Sequence, residues 1–176
     1  MEVRLAEIKE RENIDFCVVN CENAAAGFGI TEALADDLLD AGADVLTSGN
    51  HIWSQKEAED LVEREPRLLR PANFPPGVPG VGARTYRTDN GITVGVMNLM
   101  GRVFMRELDC PFRTADREIE RLQSEGADLI LVDFHAEATS EKIALGYYLD
   151  GRAAAVIGTH THVMTADERI QPAGTA

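Results

Sequence analysis

All four histidines of the chain follow apolar, strand-like runs. His51 comes after DVLTSGN, His135 after DLILVDF, and His160 and His162 after AAAVIGT. A fourth run, DFCVVNCEN, delivers Glu22 and Asn23. Open α/β sheets gather ligands in the crevice beyond the carboxyl ends of their strands, so these four tips are expected to converge. Imidazole, carboxylate and amide oxygen brought together are the donor set of a metal centre.

Each piece also has an ordinary alternative. In an extended strand, residues two apart share a face, so His160 and His162 of GTHTHV are expected to reach one site or two adjacent ions; otherwise they are a solvated loop pair. Asn50 is a ligand or a turn residue in Gly49-Asn50-His51, and His51 a ligand or a proton donor. Glu22-Asn23 could be a helix cap or turn, or could supply a carboxylate that bridges two cations. His135 follows a run apolar enough to be buried, where an unpaired imidazole is costly, so it is either a ligand or a satisfied core histidine. Asp133 and Glu137 are close enough in sequence to support it from behind. The coincidence of all these groups at strand ends carries the metal reading. Gly27-Phe28-Gly29 lacks the third glycine of a dinucleotide-binding loop and is expected to be a turn.

The elements that must position these groups are legible as alternating helices and strands. After a charged N-terminal helix, residues 15–20 are expected to form a buried strand that takes in Cys17. Thr31 is expected to cap a helix that stops at Gly42, before a strand over 44–48. A helix from Ser54 to about Glu65 follows, capped by Ser54 and stopped by Pro66. The proline-rich segment 70–82 is a rigid loop, and the runs 83–88 and 92–98 flank Asp89-Asn90-Gly91, a hairpin turn sequence. A loop over 99–113, a helix from Thr114 to Glu125 stopped by Gly126, the strand before His135, a helix from about Ser140 and the strand before His160 complete the pattern. It is ordinary α/β construction.

At 176 residues the chain has the size of one domain, and 44% hydrophobic with 27% charged residues is a globular composition. A net charge of −13 argues against broad binding of duplex nucleic acid, which needs basic stripes. It leaves a small phosphate ligand open, because bound cations reverse the local field. No apolar run approaches the ~18 residues of a membrane span, and the charged start is no secretory signal, so a cytoplasmic location is expected. The three cysteines are odd in number and lack CxxC spacing, which supports neither a disulfide framework nor a zinc ribbon.

The motifs NCENAAAGFG, GNHIW, RPANFPPGVPG, DFHAEATSEK and GTHTHVMTAD, spread over residues 14–175, together resemble the YmdB-like branch of the calcineurin-like metallophosphoesterases. The resemblance implies a sandwich of two mixed sheets flanked by helices, with two divalent ions, commonly iron or manganese, at the strand ends. It implies that Glu22 bridges both ions, that Asn23 and His162 serve one, and that Asn50, His135 and His160 serve the other. His51 would stand near the leaving group. The implied reaction is hydrolysis of a small cyclic phosphodiester, a 2′,3′-cyclic nucleotide, by attack of a metal-bridging hydroxide on phosphorus. The family pattern opens with a strand ending in Gly-Asp, whose aspartate serves the first ion, and it runs on past the last motif. Residues 1–176 are therefore expected to be a single domain, truncated at both ends, that keeps only Glu22, Asn23 and His162 for the first ion. A catalytically impaired metal- or nucleotide-binding protein that acts through interaction is the alternative, and the sequence leaves a homo-oligomer open.

Overall fold

The computed structural model describes residues 4–176. The N-terminal helix α1 (Leu5–Glu12) is part of the charged opening stretch, whose first three residues lie outside the described ones. Strands β1 (Val18–Asn20), β2 (Val45–Thr47) and β3 (Leu68–Leu69) pair in that order, all parallel, with helices α2 (Glu32–Asp40) and α3 (Ala58–Arg64) between them in sequence. The second sheet is ordered β4 (Ala83–Arg87), β5 (Thr93–Met100), β6 (Leu129–Ala136), β7 (Ala155–His160), with α4 (Pro111–Ser124) and α5 (Thr139–Tyr148) as its crossovers. Only β4 and β5 run antiparallel; they are the expected hairpin, with Arg87 opposite Thr93. The chain thus has the two-sheet, helix-flanked α/β architecture, with mixed pairing confined to the second sheet.

Period-two alternation builds the layers. In the first sheet Val45 and Leu69 face the second sheet, while Leu46 and Leu68 pack with Leu39 and Leu61 of the helices. In β5, Val94 and Val96 face the first sheet, while Met97 and Leu99 join Ile119 and Leu122 of α4 and Leu145 of α5. Burying each large aliphatic side chain of this intersheet core contributes about 1.5–3 kcal/mol. Along β6 the inward row reads Leu129, Leu131, Asp133, His135, so the sandwich interior turns polar toward the strand's C-terminal end. Polar bonds join the two sheets there. Asp133 accepts from Asn20 and Thr47 of the first sheet, and Asn98 Oδ1 of β5 accepts from Ser48 N at 3.1 Å.

Thr31 caps α2 by accepting from Leu34 N, and Gly42, at φ +110°, lets Ala43 N reach Leu38 O at 3.1 Å as the chain turns into β2. Other expectations need correction. The helix expected from Ser54 begins only at Ala58, because the residues of its would-be first turn are engaged elsewhere. Ser54 Oγ lies 3.4 Å from His51 Nδ1, Gln55 Nε2 donates to Phe28 O at 2.6 Å, and Glu57 Oε1 accepts from Glu32 N at the start of α2. The helix expected from Thr114 starts at Pro111, where the missing N–H costs nothing. Strand β3 is two residues long and has no periodicity to reveal it. Cys17 is only half-buried and precedes β1, its N–H held by Asp44 Oδ2 at 2.6 Å; Cys21 is the buried thiol. No described helix is long and apolar enough to cross a membrane.

Candidate metal centre

The C-terminal ends of β1, β2, β6 and β7 meet at one end of the sandwich. Glu22 follows β1 and is 1% exposed; its Oε1 accepts from the His51 backbone N–H. Its other oxygen, Oε2, is the one buried side-chain polar atom among the described residues with no hydrogen-bond partner. Such a group costs about 1–3 kcal/mol or more unless something outside the chain satisfies it.

Around this carboxylate the expected donors fall into two groups. His135 Nε2 lies 2.9 Å from Asn50 Oδ1, 3.1 Å from His160 Nδ1 and 3.6 Å from Glu22 Oε1. Asn23 Oδ1 lies 3.0 Å from His162 Nε2, with the Asn23 amide nitrogen spent on Gly27 O at 2.7 Å, so its oxygen is the atom offered to the site. Asn50, His135, His160 and Glu22 thus come together, and Asn23, next to Glu22 in the chain, pairs with His162. Counting carboxylates, thiols and imidazoles alone, no three described side chains make a ready cation cage. Two amide oxygens, of Asn50 and Asn23, also stand in these groups. Carboxylate, amide and imidazole donors with an orphaned buried oxygen among them fit divalent transition metals.

His160 and His162 reach this arrangement by a different route from the expected one. They do not share a face of an extended strand: His160 ends β7 at φ +95° and His162 has φ +54°. Two non-glycine residues with positive φ cost about 1–3 kcal/mol each and cluster at functional sites. The turned backbone sends His160 toward His135 and His162 toward Asn23.

His51 stands apart from both groups. Its ring packs edge-on against Phe28, with centroids 4.9 Å apart, and its Nδ1 faces Ser54 Oγ. Gly27 and Gly29 turn the chain around Phe28, as expected of them. Glu137 Oε2 takes His160 Nε2 at 3.0 Å. Asp133, which is 7% exposed, accepts from Asn20 Nδ2 at 2.8 Å and from Thr159 Oγ1 at 2.6 Å as well as from Thr47. Thr159, Thr47 and Asn20 carry no sequence signal that marks them out.

Burial sets the electrostatics. It pushes the Glu22 carboxyl up to about 7, against the lowering effect of the His51 and Gly49 N–H groups. Burial, and then the neighbouring His160, pushes His135 down to about 3. Glu22 and His135 are therefore no ion pair at 3.6 Å, because each is driven toward its neutral form. Burial also lowers His160, against Glu137, and raises Asp133, against its three hydrogen bonds. A bound cation reverses this logic for Glu22 and favours a bare imidazole at His135.

Gly49 is the close-approach residue of the site: a Cβ there would lie nearer than 3.0 Å to three atoms of the His135 ring. Gly49→Ala is expected to displace that ring or spread the sheets and cost the metal-free protein about 1–3 kcal/mol. A thermal melt measures it; an unchanged melting temperature would mean that the ring yields freely.

A family model described as YmdB-like protein matches residues 1–176. The chain is 52% identical over 170 residues to the 2′,3′-cyclic-nucleotide 2′-phosphodiesterase of Bacillus subtilis (strain 168), covering 97% of this chain and 64% of that protein. A crystal structure of a hypothetical protein from Thermus thermophilus superposes with a TM-score of 0.91 at 46% identity, covering 99% of this chain and 66% of that one. The crystal structure of a phosphatase from Mycoplasma pneumoniae does so with a TM-score of 0.87 at 34% identity, covering 97% and 62%. The chain thus spans just under two thirds of the length of each. With the family's motifs converging at one end of a two-sheet sandwich and its model matched from the first residue to the last, the chain belongs to the YmdB-like family.

Proposed function

We propose that the chain carries the metal centre of a phosphodiesterase that hydrolyses small 2′,3′-cyclic nucleotides. The observation that carries this reading is the buried, unpartnered Glu22 Oε2, which belongs to a carboxylate in contact with imidazole, in a chain 52% identical to a protein named for that activity. Two divalent ions, iron or manganese by the family resemblance, would be held by Glu22, Asn23, Asn50, His135, His160 and His162. When bound they supply positive charge to the phosphate oxygens and lower the pKa of a water molecule.

The rest falls to the chain. Glu22 fixes the His51 backbone through its N–H, so the imidazole and the cation site keep one relative position. Phe28 restrains the ring from the side and Ser54 Oγ lies 3.4 Å from Nδ1, so Nε2 is the nitrogen that would face the leaving group. As a water oxygen that gives up one proton to solvent bonds to phosphorus and the bond from phosphorus to a ribose oxygen breaks, His51 in its doubly protonated form would give a proton to the departing oxygen and be left as neutral imidazole. The product is a nucleoside monophosphate. The test is hydrolysis of a 2′,3′-cyclic nucleotide by metal-loaded and chelated chain: turnover is expected only with Mn²⁺ or Fe²⁺, with two ions per chain by elemental analysis. Equal rates in both samples would refute the metal-dependent reading, and one ion or none without turnover would favour a binding protein.

A further inference from the structure

We propose that Phe28 is a substrate-binding residue whose exposed ring carries the nucleobase of the cyclic nucleotide, stacked on it while the phosphodiester lies at the cation site. The inference deepens the function proposed above and rests on it.

Phe28 is 58% exposed, yet its backbone is fixed on both sides. Phe28 N donates to Ala25 O at 3.0 Å and Phe28 O accepts from Gln55 Nε2 at 2.6 Å, while Gly27 N donates to Asn23 O and Gly29 N to Glu22 O. Ala26, Gly27 and Gly29 all have positive φ, and a Cβ on Gly29 would lie 2.7 Å from His51 O, so the loop closes tightly against the His51 turn. Holding Phe28 O also takes Gln55 out of the first turn of α3. The chain thus keeps a large apolar ring half in water at a fixed place, where it gains only part of the burial that makes aromatic side chains favourable in a core.

That place is the rim of the candidate centre. The same loop supplies Glu22 and Asn23, and the ring centroids of Phe28 and His51 are 4.9 Å apart. In a 2′,3′-cyclic nucleotide the phosphate oxygens and the base hang from a single sugar ring, so a ligand whose ribose oxygen meets His51 brings its base to the neighbouring surface. Cations recognise the phosphate and do not tell a nucleotide from any other phosphodiester. An aromatic ring supplies that discrimination, and it tolerates every base because every base has a π face. Purines, with the larger ring system, gain more from it than pyrimidines.

The test is calorimetry on Mn²⁺-loaded chain with two ligands, adenosine 3′-monophosphate and inorganic phosphate. The wild type is expected to bind the nucleotide more tightly, because phosphate meets the ions alone. Phe28→Ala is expected to weaken the nucleotide about 5–150-fold more than it weakens phosphate, which is the loss of one base–aromatic stack. Phe28→Tyr, which keeps a ring, is expected to restore the preference, and uridine 3′-monophosphate should lose less than the adenosine ligand. Equal wild-type affinity for nucleotide and phosphate overturns the proposal, as does a Phe28→Ala chain that weakens both alike or neither. A fall in kcat with nucleotide affinity unchanged would make the ring only a support for His51, and overturns it too. Should Phe28→Ala fail to fold, Phe28→Leu, apolar but without a π face, decides the same comparison. Nucleotide binding through Phe28 without turnover would sink the phosphodiesterase reading alone; turnover with an affinity indifferent to Phe28 would sink the stacking alone.

Discussion

Chain carrying Glu22→Gln is expected to lose metal binding and hydrolysis, yet to melt at a higher temperature than the wild type when both are ion-free at pH 8. The loss follows from the proposed role, because the amide is a weak, neutral ligand in place of the carboxylate whose buried Oε2 has no partner in the chain. The gain follows from burial. The Glu22 carboxyl is raised from 4.5 to about 7 in the folded chain, so between those values the folded state holds a proton that the unfolded state has released. Stability therefore falls as pH rises through that window and is lowest above about pH 7, where the buried group is charged in both states. At ~1.36 kcal/mol per pH unit, the full penalty is about 3 kcal/mol. Glutamine carries no charge to desolvate, so its advantage should grow between pH 5 and pH 8 and reach a few degrees of melting temperature. Retained hydrolysis would remove Glu22 from the centre, and a stability difference independent of pH would remove the burial account.

His51→Ala is the complementary case. A positioned proton donor contributes about 10²–10⁴-fold, so hydrolysis of a 2′,3′-cyclic nucleotide is expected to fall by that factor. Metal content should stay at the wild-type value, since the His51 ring meets Phe28 and Ser54 rather than the two donor groups, and its backbone N–H to Glu22 survives the change. The decisive comparison uses a nitrophenyl phosphodiester. Its leaving group departs without a proton, so the loss should shrink toward none. Equal losses on both substrates would assign His51 to substrate binding or to shape instead of proton delivery.

Much of the fold was legible because its signals are local. Thr31, Gly42 and Asp89-Asn90-Gly91 act through their own backbone neighbourhoods, and helices and strands appeared where these residues put their limits. The convergence of Glu22, Asn50 and the imidazoles was legible because parallel strands leave their carboxyl ends on one edge. What stayed hidden depends on distant partners. The start of α3 is shifted by Phe28 and Glu32, which lie 27 and 25 residues from the groups that meet them. Thr47 and Asp133 are 86 residues apart, and nothing in either segment announces the other. The directions of His160 and His162 depend on two left-handed backbone positions that strand periodicity does not foresee. Cys17 belongs to an apolar run yet stayed half-exposed, because β1 begins one residue after it and Asp44 claims its amide.

Each donor group draws from both sides of the seam between the sheets. Asn23 and Asn50 come from the ends of the first sheet, and their partners His162 and His135 from the ends of the second. Neither sheet alone owns a complete binding place. A chain that has assembled one half and not the other would have nowhere to seat the proposed ions, so their capture would report that the whole sandwich has closed.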